Sequence, residues 1–186
     1  MTSRNKRLGL RTGRRDWLWA VAFCALALAG IAGAFALLSG GSSSNSSGDV
    51  IATVGGVECQ RNEQLHYHVH AFLAVIIDGQ PVEVPSSIGI RPDCYFWLHT
   101  HSPNGLLHIE APERRDFTLG QFFAVWGQTL SATQVMGRTV DASHQIQATI
   151  NGEPWAGDPA GIPLNDQTDI VVQYGPPFVP PPEYGW

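Results

Sequence analysis

Six of the seven histidines fall between His66 and Glu110, in three groups. They are His66-Tyr67-His68-Val69-His70, His99-Thr100-His101, and His108. A neutral imidazole offers one ring nitrogen to a metal ion while the other carries a proton. On a β-strand, residues two apart share a face and stand roughly 6.5–7 Å apart, close enough for two imidazoles to converge on one ion. His66 and His70 are about 13 Å apart along an ideal strand, so the three histidines of the first group cannot all bind one ion. The spacing predicts that His68 and His70 share a site with His99 and His101. His108 is a further ligand or a supporting partner. Glu110 can accept from an imidazole N–H and fix its tautomer, or act as a general base. All six histidines, His66 included, are candidate metal ligands.

Imidazole-rich sites suit Zn²⁺ or Cu²⁺ first, with Ni²⁺ and Fe²⁺ as further options. The only methionines are Met1 and Met136, so a thioether carrier of Cu(I) is not indicated. Calcium would need clustered oxygens. Two other readings stand beside metal binding: a polar patch of hydrogen-bonded strand histidines, and a cluster that gains charge on acidification. His144, alone in a polar loop, reads as an ordinary histidine. No His-Glu-x-x-His helix motif, phosphate-binding glycine loop or Ser-His-Asp spacing stands out.

The elements that must position these residues follow from parity. From Leu65 to Asp78 the odd positions form a nearly continuous apolar face. The even positions begin His66, His68, His70 and continue Phe72, Ala74, Ile76. Asp78-Gly79-Gln80-Pro81 turns the chain into a short returning strand, Val82-Glu83-Val84. Cys94 to His101 reads as a second long strand, with Tyr95, Trp97, His99 and His101 on one face. Ser102-Pro103-Asn104-Gly105 is a turn. A two- or four-residue connection puts His108 and Glu110 on the face of His99 and His101; a bulged three-residue connection puts them on the other. The Pro-Asn-Gly sequence suits the bulge, and the register is open. Thr118 to Trp126 is a short capped helix with an apolar stripe of Leu119, Phe122, Phe123 and Trp126, ended by Gly127. Gln145–Ile150 and Asp169–Tyr174 are further strands. Strands, one short helix, then strands predict an α+β, mainly β domain with a mixed or antiparallel sheet, β-grasp-like; a β-sandwich is the alternative.

Around this domain the chain divides by composition. Residues 1–16 are basic, with six of the eleven lysines and arginines. Residues 17–38 form a run of 22 residues without a charge, the length an α-helix needs to cross a bilayer. The basic flank should stay in the cytoplasm, which places the rest outside. A cleaved signal peptide, or a twin-arginine signal at Arg14-Arg15, is the rival reading with the same destination. Residues 39–48 are a Ser/Gly tether, residues 49–175 the histidine-bearing domain, and residues 176–186 a proline-rich tail that can lie back through Phe178, Tyr184 and Trp186. From Ser39 onward the chain has five basic and fifteen acidic residues, about −10. That charge argues against nucleic acid and favours cations.

Cys59 and Cys94 are the only cysteines in this exported part. Outside the cytoplasm an even pair forms a disulfide more often than a metal site.

Several motifs occur in order: His66–Ile90 with its Asp78-Gly79 turn, Leu98-His99-Thr100-His101, Gly105-Leu106-Leu107-His108-Ile109-Glu110-Ala111-Pro112 and Phe117-Thr118-Leu119-Gly120-Gln121-Phe122-Phe123. Together they resemble a family of uncharacterised, membrane-anchored extracytoplasmic proteins of bacteria and archaea. The resemblance spans most of Cys59 to Gly175 and implies a shared fold, without an activity. In that family an Asp often stands where this chain has Ser102; a ligand role for it would be lost here. The expected function is metal binding on a membrane-tethered domain, as a carrier, sensor or accessory to a membrane-protein partner. A metal-dependent hydrolase or hydratase is the alternative, and a structural or pH-responsive interaction module the third reading.

Overall fold

The structure is a computed structural model that describes residues 50–182. The expected anchor at 17–38, the expected tether at 39–48, and Tyr184 and Trp186 of the tail lie outside the described residues. Among the described residues no helix is long and apolar enough to cross a membrane.

Among the described residues thirteen strands and one α-helix follow in order. Strand β1 is Val50–Val54, β2 Val57–Gln60, β3 Tyr67–Ile77, β4 Gln80–Val82, β5 Tyr95–Phe96, β6 Leu98–His99 and β7 Leu106–Ala111. Helix α1 is Leu119–Trp126. Strands β8 Leu130–Ser131, β9 Gln134–Val135, β10 Arg138–Thr139, β11 Gln145–Ile150, β12 Glu153–Pro154 and β13 Thr168–Gly175 complete the fold. The principal sheet runs β12-β11-β13-β3-β7-β6, with β4 also paired to β3. Its central pair, β13 and β3, is parallel, and β11, β7 and β6 join antiparallel. The domain is therefore mainly β with a mixed sheet and one short helix, as the element order predicts.

Strand β3 shows why. Its odd face, Ala71, Leu73, Val75 and Ile77, is buried in one core with Leu107, Ile109, Ile170 and Val172. Helix α1 closes that core with Leu119, Phe122 and Phe123. The helix is too short to stand alone and is held by this packing. At its N-terminus the Thr118 backbone N–H donates to the Gln121 side chain at 3.0 Å, and Gly127 ends it at φ 74°. The even face of β3 has two parts. Ala74 and Ile76 pack with Val171 under Val179 of the tail. The Gln173 side chain grips Val179 through both its backbone N–H and its carbonyl, each at 3.0 Å. His68 and His70 occupy the other end of that face.

The long strand expected from Cys94 to His101 is broken at Trp97. Strand β5 pairs with β2 in a separate three-stranded sheet, and β6 pairs with β7 in the principal one. Trp97 serves both sheets: its N–H donates to Glu58 and its carbonyl accepts from Glu110 N–H. A strand whose two halves meet different partners must bend between them. The Cys59–Cys94 disulfide forms and closes a loop with a sequence separation of 35. The rival reading of these cysteines as metal ligands is thereby overturned, because both sulfurs are covalently used.

Candidate metal centre

Three adjacent strands build the site, with β7 in the middle. His99 pairs across to His108 and His108 to His70, while Glu110 pairs to His68. Direct pairing puts these residues on one face of the sheet. The register at Ser102–Gly105 is thus the four-residue connection, with His108 beside His99. Gly105 helps to set it: its carbonyl accepts from Leu73 N–H at 2.9 Å, and a Cβ there would lie 2.4 Å from the Leu73 carbonyl oxygen. The Pro-Asn-Gly turn suits a bulge locally, but this contact with β3 fixes the unbulged form.

The side chains then converge. His68 Nε2 and His70 Nε2 are 3.0 Å apart, and His99 Nε2 and His101 Nε2 are 3.2 Å apart. Glu110 Oε1 lies 3.2 Å from His68 Nε2, 3.2 Å from His108 Nδ1 and 3.8 Å from His99 Nε2. Donor atoms bound at about 2.0–2.2 Å to a zinc ion stand roughly 3.3–3.6 Å apart at tetrahedral angles. The observed separations fall close to that range. They are also within hydrogen-bond reach, so a proton can hold any one pair, but this many inward nitrogens exceed what a few shared protons need.

The tautomers favour ligation. A backbone carbonyl can only accept, so His99 Nδ1–H donates to Phe96 O at 2.9 Å. That leaves the Nε2 lone pair of His99 facing His101 and Glu110. This is the arrangement in which a backbone carbonyl orients a metal-binding imidazole. His99 is fully buried. Burial, with the nearby imidazoles adding to it, pulls its pKa down to about 4. Burial and the surrounding imidazoles likewise pull His108 down to about 3. His70 is lowered by burial and by His68. These rings are neutral at neutral pH, and each keeps one ring nitrogen with a lone pair. Glu110 is 2 % exposed, and burial raises its pKa. Its Oε2 is buried without a hydrogen-bond partner among the described residues.

Two groups of potential ligands result, each with all its donor atoms within 4.8 Å of one another: His99, His101, His108 and Glu110; and His68, His70 and His108. His66 joins neither. It is exposed at the start of the strand, beside Gln64, Leu65 and Pro112. His144 lies elsewhere, stacked on Tyr174 at 5.0 Å with its Nδ1 3.1 Å from Asp141. Ser102 is exposed in the turn.

Sequence reasoning did not single out Glu63. Its Oε1 sits 3.3 Å from His101 Nε2 and 3.8 Å from His99 Nε2. It belongs to the connection between β2 and β3, where no periodicity marks a facing direction. The site is buried at His99 and Glu110 and opens to solvent at His68 and His101, whose side chains are 36 % and 42 % exposed.

Compared with protein-family models, with curated proteins and with solved structures, the chain matches none.

Proposed function

We propose that this chain displays a transition-metal site on a membrane-tethered, extracytoplasmic domain, as a metal carrier, a sensor or an accessory subunit to a membrane protein. The convergence of five imidazoles and Glu110 on one sheet face carries the reading. Ring nitrogens held at 3.0–3.2 Å need a shared proton or a cation between them, and a cation serves several at once. Mixed imidazole and carboxylate donors suit Zn²⁺ or Cu²⁺, then Ni²⁺ or Fe²⁺. The apolar run at 17–38, its basic flank and the disulfide support the extracytoplasmic placement. In the sheet, β7, the first long strand β3, the last strand β13, β11 and β12 lie in that order with β3 and β13 parallel, which supports the β-grasp reading.

The test is metal content. The untagged full-length chain is purified after export and assayed by plasma mass spectrometry, with His68→Ala/His70→Ala and His99→Ala/His101→Ala variants beside it. Bound metal near or above one equivalent, diminished in both variants, supports the proposal. No metal after reconstitution with Zn²⁺, Cu²⁺, Ni²⁺ and anaerobic Fe²⁺ refutes it. The second reading, a metal-dependent hydrolase or hydratase, is favoured by one feature: a buried carboxylate, Glu110, stands among ligands that open to solvent on one side. There a bound water would meet a general base.

A further inference from the structure

We infer that this face holds two divalent ions side by side, one on His99 and His101 and one on His68 and His70, with the Glu110 carboxylate between them. The inference rests on the metal-binding reading above and specifies its stoichiometry.

The sheet separates the two histidine pairs. They stand on strands β6 and β3, the outer two of three, so their backbones are two strand spacings apart, about 9.5 Å. Each pair closes upon itself: Nε2 to Nε2 is 3.2 Å on β6 and its loop, and 3.0 Å on β3. Each is therefore a two-nitrogen chelate by itself. The inward donors accordingly fall into two groups with only His108 in common.

The middle strand supplies what lies between. Glu110 Oε1 reaches towards both pairs, 3.2 Å from His68 Nε2 and 3.8 Å from His99 Nε2. Its second oxygen is buried and lacks a hydrogen-bond partner among the described residues. A buried carboxylate oxygen left without a partner is costly. Cations held beside Oε1, which faces both pairs, would offset the burial of this carboxylate. His108 is flanked by His70 and His101, each edge-on to it with ring centres 4.6 Å apart. It completes one of the two sets. On the outer side of the β6 pair, Glu63 adds a carboxylate 3.3 Å from His101. Two-ion sites of this kind place their metals about 3.5–4 Å apart.

The experiment counts ions and then asks whether they sense each other. The chelator-stripped, untagged full-length chain is titrated with Zn²⁺ and read by native mass spectrometry. A parallel sample is loaded with Cu²⁺ and examined by electron paramagnetic resonance. Two zinc ions at saturation are expected. His68→Ala/His70→Ala and His99→Ala/His101→Ala should each retain one. The two-copper wild-type chain should show less resonance intensity than its copper content, because neighbouring spins couple, and each double variant should recover full intensity for its remaining ion. Saturation of the wild-type chain at a single zinc ion overturns the two-ion centre and leaves the metal-binding proposal standing. Two ions with full, uncoupled copper intensity also overturn it, since the sites would then be separate. Failure of the wild-type chain to bind any ion overturns both.

Discussion

Acidification should unfold the metal-free domain, and His99 should carry a measurable share of that effect. His99 is fully buried, and its pKa falls from 6.5 to about 4 on folding. Between those values the unfolded chain binds a proton that the folded chain does not. Stability therefore rises with pH across the window, by about 1.4 kcal/mol per pH unit for one such group. The contribution is fully present above pH 6.5 and is lost as pH falls through about 4. Its total is about 3 kcal/mol, a large part of the 5–15 kcal/mol typical of a whole domain. His108, lowered to about 3, acts in the same direction. Glu110 acts in the opposite one, because a raised carboxyl pKa favours the folded state while the group stays protonated. The assay is urea unfolding of the chelator-treated chain at half-unit pH intervals from 7.5 to 4, followed by tryptophan fluorescence. His99→Gln removes one titrating group while keeping a polar side chain. Its stability should vary less steeply between pH 6.5 and 4.5, by about 1 kcal/mol per unit averaged over that window. Equal slopes in the two proteins would refute the claim that His99 is buried as a neutral ring.

Three further outcomes follow from the same geometry. Zinc at a hundred times its dissociation constant should raise unfolding stability by about 2.7 kcal/mol per independent site, a gain that His108→Ala diminishes in a thermal melt. Glu63→Gln should weaken metal affinity by about tenfold or more in a competition titration against a chromophoric chelator, with little change in metal-free stability, because Glu63 is one-third exposed and touches His101 and His99. An unchanged affinity would remove Glu63 from the site. Gly105→Ala should cost more than about 1 kcal/mol, since its φ is 83° and the added methyl would strike the Leu73 carbonyl; an unchanged urea midpoint would show that the turn adapts.

Much of the fold was legible because strand periodicity is local. Alternation from Leu65 to Asp78 assigned Ala71, Leu73, Val75 and Ile77 to the core and His68 and His70 to the opposite face, as β3 shows. The capped stripe of α1 is equally local. Trp97 was misread for the opposite reason. Nothing in Cys94–His101 signals that its halves pair with different sheets, since that depends on β2 and β7 arriving from either side.

The sequence by itself determined the ligand types, their pairing at a spacing of two, and the cysteines available for a disulfide. Only the tertiary structure decided which strands are neighbours. By placing β7 between β3 and β6 it made His108 and Glu110 the centre of the cluster, and it left His66 outside. It also brought Glu63 in from a connection without periodicity, and it buried His99 so that a backbone carbonyl fixes its tautomer. The physical reason is that side-chain direction along a strand follows from backbone geometry within a few residues. Register and strand order follow from contacts between residues far apart in sequence, and Gly105 against Leu73 is one of them.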